Sequence, residues 1–330
     1  MRKRSVLLVA GACLATLSLT AGAALADPSP PIPPDRPLAG VGSDTTQDVM
    51  NGFANGTSAS APPFAGIKSG SNFVVSSFDA TGSATITTHP TTACTNIPRP
   101  SGSGNGVNAL DADTSGCIQF ARSSSDLSST HPNDTFIPFA TDALPFATAA
   151  ITNVPKSFTK AQLTTIYSRN VEQTCIRQPL LPHVGSGTRN AWLAFIGVGG
   201  SGQPALGTCV KDTLNGVPIE EHDGRVLTNG EQLVPFLLAQ FIAQTTQPSV
   251  TDRHGPAVPR AVDGVAPYDE TFPFVRTVFN VVRNADVGNS TISSTFVGSG
   301  SAVCSHTEVT KVFGFKPLSG SSCGTTSTVN

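Results

Sequence analysis

The chain is poor in charge. Lys, Arg, Asp and Glu make up 13% of its 330 residues, and the formal net charge is −2. Residues 1–26 carry Arg2, Lys3 and Arg4 and no acid, so the remainder stands at −5. The other basic residues are scattered, with no stripe along any segment, and there are almost no aromatic clusters of the exposed type. Both absences argue against a nucleic-acid partner. No CxxC pair occurs, and no histidine stands near a cysteine at ligand spacing. The six histidines, His89, His131, His183, His222, His254 and His306, form no HExxH, so neither a metal nor a cofactor is expected. There is no internal repeat, no heptad run and no second apolar span after the first 26 residues.

What is present begins with export. Arg2-Lys3-Arg4 lead an apolar run from Val6 to Leu25 that leaves through Ala24-Leu25-Ala26. This reads as a signal peptide cleaved after Ala26, giving a secreted chain; a lipid-modified Cys13 is the less favoured alternative. Cys94, Cys117, Cys175, Cys209, Cys304 and Cys323 remain, an even number that reads as disulfides in an exported protein. Six cysteines allow fifteen pairings. The sequential set 94–117, 175–209 and 304–323 closes the shortest loops and is favoured for that reason. Residues 27–37 are proline-rich and read as a linker with no packed role.

Two small-residue loops run into helix starts. Pro37 to Ser43 reads as a short buried strand ending in glycines, and Asp44-Thr45-Thr46 opens a helix with Val49 and Phe53 on one face. Further on, Gly185-Ser186-Gly187-Thr188 precedes a helix whose Trp192, Phe195 and Ile196 recur at i, i+3 and i+4, stopped by Gly197. Ser186 or Thr188 serves as N-cap. Unpaired N–H groups and the helix dipole at such a start favour an anion, and Arg189 adds a planar cation. An ordinary capped surface helix has the same local sequence.

Between these loops, Phe73–Thr88 is strand-like. Residues 101–116 read as a surface loop, and Ile118–Ala121 as a strand running into a polar turn, Arg122 to Asp126. Phe136–Thr152 is apolar and β-prone, with Asp142 inside it. A lone acid there is costly unless paired, capping a turn or facing a cavity. Phe158–Tyr167 is helical, Thr228 and Glu231 read as a capping box, 236–243 fits helix or strand, and Phe272–Val282 reads as a strand.

The order Gly40-Val41-Gly42-Ser43-Asp44-Thr45-Thr46, Phe120-Ala121-Arg122-Ser123-Ser124, Leu163-Thr164-Thr165-Ile166-Tyr167-Ser168 and Gly185-Ser186-Gly187-Thr188-Arg189 resembles the phosphate-type substrate-binding proteins of ABC transporters. The resemblance spans about residues 38–315. It implies an α/β, two-domain periplasmic-binding-protein type II fold with two inter-domain crossovers and a ligand cleft. The domains would be 38–146 plus 262–330, and 147–261. The implied ligand is inorganic phosphate or a similar oxyanion, the implied partner an ABC permease, and the chain a monomer. Ser43, Asp44 and Thr45 would line the site from the first loop, Ser123 from the second, and Ser186, Gly187 and Thr188 from the last. The family's Arg four residues before the Ser of Ser-Gly-Thr is Pro182 here; Arg189 is the candidate replacement and Arg122 the next. Asp44 and Asp142 are candidate acceptors for the proton of phosphate, which sulfate lacks at neutral pH.

Two other functions remain open. A secreted phosphate-ester hydrolase needs a nucleophile and a base, yet Gly320-Ser321-Ser322-Cys323-Gly324 lacks the strand–turn–helix context and contains a disulfide-type cysteine. His183 stands beside the last loop, where it reads better as a rim residue than as a base. A non-catalytic surface or adhesive protein is the third alternative.

Overall fold

The computed structural model describes residues 36–171 and 175–326. The expected signal peptide, with Cys13, and nearly all of the linker lie outside the described residues. The linker's last residues differ from expectation. Arg36 is buried, and its Nη1 donates to the carbonyls of Ala54 (3.2 Å) and Val75 (2.7 Å) while its guanidinium lies 4.6 Å from the Phe73 ring. Packing therefore starts before Pro37.

The main elements are β1 (Leu38–Gly42), α1 (Gln47–Asn55), β2 (Val75–Ser77), α2 (Ser103–Ala112), β3 (Phe120–Ser123), β4 (Asp134–Ala143), β5 (Phe146–Ala149), α3 (Lys160–Ser168), β6 (Gln178–Pro179), α4 (Gly187–Ile196), β7 (Gln232–Pro235), α5 (Leu238–Thr246), β8 (Ala257–Pro259) and β9 (Val275–Arg283). Three short helices, α6 (Ser290–Phe296), α7 (Ala302–Ser305) and α8 (Thr307–Val312), precede β10 (Lys316–Pro317). They fold the Gly/Ser/Thr-rich C-terminal region into regular structure.

A six-stranded sheet runs β10-β4-β9-β3-β1-β2. β1 pairs in parallel with β2 and β3, whereas β9 pairs antiparallel with β3 and β4. A four-stranded sheet runs β6-β7-β5-β8. The chain leaves the first sheet through Leu144-Pro145, between β4 and β5, and returns between β8 and β9. These are the two crossovers. Phe53, Phe120, Phe296 and Phe313 pack on one face of the larger sheet, and Val107, Leu110 and Phe136 on the other; Trp192, Tyr167 and Phe146 build the core of the second layer system. Among the described residues no helix is long and apolar enough to cross a membrane.

Two readings of local sequence are overturned. Residues 103–112 form α2, not a surface loop. Gly102, Gly104 and Gly106 disfavour a helix by propensity, but Val107 and Leu110 are fully buried against the larger sheet. Gly106 also lets α2 touch β1: a Cβ there would lie 2.5 Å from the Gly42 Cα. Packing wins over propensity. Thr228 and Glu231 cap no helix either. The Gln232 side chain accepts from the amides of Thr228 (2.6 Å) and Asn229 (3.0 Å), Glu231 pairs with Arg177, and strand β7 follows. Pro235 ends that strand, and the undecided stretch becomes α5.

The disulfides are Cys94–Cys117, Cys175–Cys209 and Cys304–Cys323, with sequence separations of 23, 34 and 19. Loops of that length limit the unfolded chain by about 3–4 kcal/mol each in the chain-entropy view.

Candidate functional site

The site grows from two turns, one strand and one helix. β1 ends at Gly42, whose φ of 114° suits glycine and whose position leaves no room for a side chain, since a Cβ would meet the Arg122 carbonyl at 2.7 Å. The chain then turns through Ser43, Asp44 and Thr45, all buried. The Ser43 amide donates to the Arg122 carbonyl (3.1 Å), and the Ser43 hydroxyl accepts from the Thr45 amide (3.3 Å). Arg122, fully buried, donates to the carbonyls of Ser43 (3.0 Å), Gly40 (3.2 Å) and Phe78 (2.7 Å) and to the Ser77 hydroxyl. Its charge fixes the turn and is spent there. Burial pulls its guanidinium down to about 10, still charged at neutral pH.

From the other side comes the start of α4. Ser186 is the N-cap: its hydroxyl accepts from the Arg189 amide at 3.0 Å. Gly187 packs against the hydroxyls of Ser103, Ser124 and Ser125, where a Cβ would approach within 2.6–3.0 Å. Ser186 and Thr188 are fully buried.

Both turns converge on a carboxylate of the protein itself, Glu221. The Ser186 hydroxyl donates to Glu221 Oε1. Thr188 gives its amide to the same oxygen (3.4 Å) and its hydroxyl to Oε2 (2.9 Å), and the Thr45 hydroxyl reaches Oε2 at 3.0 Å. Arg276, on β9, closes the ring. Its Nη2 donates to the hydroxyls of Thr188 (2.9 Å) and Thr45 (3.2 Å), while its Nε and Nη1 are buried without a hydrogen-bond partner. His222 Nε2 lies 3.4 Å from Glu221 Oε2 and 3.6 Å from Asp44 Oδ1. Gln240 of α5 ties down the first turn, donating to the Thr45 carbonyl and to Asp48 Oδ2, both at 3.0 Å.

The electrostatics separate the acids. Burial alone would raise Glu221, but hydrogen bonds from His222 and Asp44, with the charge of Arg276 nearby, hold it well below the usual carboxylate range. Burial and the neighbouring Glu221 push Asp44 well above that range. Burial lowers His222 and keeps its ring neutral. Asp142, which faces Arg276 across β4 and β9 and accepts from the Ala239 amide at 3.0 Å, is raised by burial to about 7.

Asp142 therefore carries a pH prediction. Its folded value lies above the ~3.9 of an unfolded aspartate, so the folded state holds the proton more tightly and loses stability as pH rises from about 4 through 7. Asp142→Asn should gain in melting temperature relative to wild type over that interval. A difference constant with pH would show an ionised carboxyl throughout.

The other expected residues are placed as follows. The Ser123 hydroxyl turns to the Ser125 carbonyl (2.6 Å); Ser124, hydrogen-bonded to the Ser43 hydroxyl at 3.3 Å, stands closer to the convergence. Arg189 Nη1 donates to the Pro182 carbonyl (2.8 Å) and pairs with Asp212 (3.1 Å), away from Glu221. His183 lies 3.7 Å from Glu220. Gly320–Ser322 is a 3-10 turn leading to the bridged Cys323. Glu221, His222, Arg276 and Gln240 were missed. Two carried a signal. Arg276 is a charge inside an apolar strand, the pattern that singled out Asp142. Glu220-Glu221-His222-Asp223 is a dense polar run in a chain short of charge.

Asp44, Glu221 and His222 bring ligand atoms within 4.8 Å of one another, as do Asp111, His131 and Asp134. At the first cluster the donors of Ser186, Thr188 and Thr45, and the Arg276 cation, favour negative charge over a metal ion.

No protein-family model and no curated protein matches the chain. Solved structures do. A Clostridium perfringens protein assigned as a phosphate ABC transporter substrate-binding protein, solved with bound phosphate, aligns over 86% of this chain and 99% of its own at 16% identity and a TM-score of 0.52. An ABC-type phosphate transport receptor from Vibrio cholerae aligns over 84% and 99% at 13% identity and a TM-score of 0.51. With its two crossovers between two sheets, the chain has the α/β, two-domain periplasmic-binding-protein type II fold.

Proposed function

We propose that this chain is a secreted, monomeric, non-catalytic solute-binding protein. It captures inorganic phosphate, or a similar oxyanion, between domains formed by residues 38–146 plus 262–330 and by 147–261, and delivers it to an ABC permease. One observation carries the reading: hydroxyls of Thr45, Ser186 and Thr188, the Thr188 amide and the Arg276 guanidinium surround a single carboxylate. A seat that holds one oxyanion by helix-start donors and a buried cation has the chemistry to hold another. The likeness in fold to two phosphate-transport proteins supports the same choice. Ser43, Asp44 and Ser124 complete the wall.

Titration calorimetry with phosphate tests this. Binding is expected near neutral pH, with sulfate weaker by tenfold or more. The unpartnered Asp44 Oδ1 in the wall accepts the phosphate proton, whereas sulfate brings no proton and sets oxygen against oxygen. Absence of phosphate binding would end the reading.

A further inference from the structure

The donors of the seat are already engaged. Four of them, from Thr45, Ser186 and Thr188, go to the two oxygens of Glu221, which is 3% exposed. A second anion beside that ionised carboxylate would face like charge in a dry site, a cost its contacts do not offset. We propose that Glu221 is a resident anion, a tethered carboxylate that an incoming oxyanion must displace, so that its departure sets the affinity of the site. The proposal rests on the reading of this seat as the phosphate site.

The local backbone fits an exchangeable occupant. Glu221 lies in the irregular segment between Pro218 and Gly224. The next residue, His222, has φ 60°, the left-handed region in which a non-glycine residue is held at a cost of about 1 kcal/mol or more. The segment is held in that conformation from outside: Gln244 of α5 donates to the His222 carbonyl at 3.1 Å. Withdrawal of Glu221 frees four donors at once and leaves the ring of Ser186, Thr188, Thr45 and Arg276 intact, because none of these belongs to the Glu221 segment. The exchange also explains selection by charge. A phosphate dianion brings two charges where Glu221 removes one, whereas a monocarboxylate gains nothing over the side chain it displaces. Apparent affinity is the intrinsic affinity reduced by the fraction of molecules whose seat is free.

The test compares wild type, Glu221→Ala and Glu221→Gln by titration with phosphate, and by melting temperature with and without formate. Glu221→Ala should bind phosphate at least tenfold more tightly than wild type, with Glu221→Gln in between. Formate should raise the melting temperature of Glu221→Ala by filling the seat, compete there with phosphate, and leave wild type unchanged. Should Glu221→Ala fail to fold, Glu221→Gln, which keeps the shape of the side chain, reads in the same direction. Equal phosphate affinity in all three overturns the proposal and leaves the phosphate reading standing. A Glu221→Ala seat that takes neither phosphate nor formate also overturns it. Formate without phosphate binding supports the resident anion and removes phosphate as the ligand.

Discussion

Arg276→Gln should weaken phosphate binding by about a hundredfold, while Arg189→Gln changes it less than threefold. Arg276 is the cation of the seat. It is buried, it donates to the hydroxyls of Thr188 and Thr45, and its Nε and Nη1 have no other hydrogen-bond partner. A charged hydrogen bond contributes roughly 1.5–3 kcal/mol, and about 1.4 kcal/mol is tenfold in affinity. Two such contacts to the hydroxyls that hold the ligand reach a hundredfold. Glutamine retains part of the shape and none of the charge. Arg189, by contrast, is committed to Asp212 and the Pro182 carbonyl. Calorimetric titration of both variants decides between them. A large loss at Arg189 with none at Arg276 would move the charge of the site to the far side of α4 and dissolve the seat described above.

Gly106→Val should destabilise the protein by about 3 kcal/mol, read as a lower urea midpoint. The added Cβ would lie 2.5 Å from the Gly42 Cα and 3.3 Å from the Val41 carbonyl, atoms of backbone that have no rotamer to give. Overpacking a core commonly costs 1–3 kcal/mol, and a clash with backbone belongs at the upper end. Gly104→Val is the control: it sits in the same helix with nothing within 4 Å of its would-be Cβ, and valine has the better helix propensity of the two, so it should cost nothing. Equal midpoint shifts for the two variants would mean that α2 does not seat on β1. Because α2 also carries Ser103, whose hydroxyl accepts from the Ser124 amide at 3.0 Å, the same variant should loosen the wall of the site.

The turns were legible because their chemistry is local. Glycine spacing, the Ser186 cap and the run of Val49 and Phe53 are decided within a few residues, and the structure brings Thr45, Ser186 and Thr188 to one point. The sequential disulfides were legible for a similar reason, as short loops close at least entropic cost. The charges of the site were not. Thr45 and Arg276 meet across 231 residues, and Thr188 and Glu221 across 33 through a segment without periodicity. Arg189 is closest in sequence to the loop, yet its side chain is drawn to Asp212 once α4 forms. The helix over 103–112 was hidden because its glycines serve a contact with a distant strand, which outweighs their poor propensity. Arg122 looked like part of a polar turn, whereas burial and five carbonyl or hydroxyl acceptors make it the brace of β1 and β3.

The strand at the middle of the larger sheet is made late. β9 lies between β3 and β4, yet it begins at Val275, more than 130 residues after β4 ends at Ala143. A ribosome that has released everything through the four-stranded sheet has delivered β3 and β4 with their facing edges bare. Such edges invite pairing with other chains until the right strand arrives. The nascent protein thus spends most of its synthesis unable to complete its first sheet, and folding by the slow route of distant pairing follows. On the proposed route of secretion the chain is threaded across a membrane before it folds, and a sheet that stays incomplete until Val275 is then an advantage.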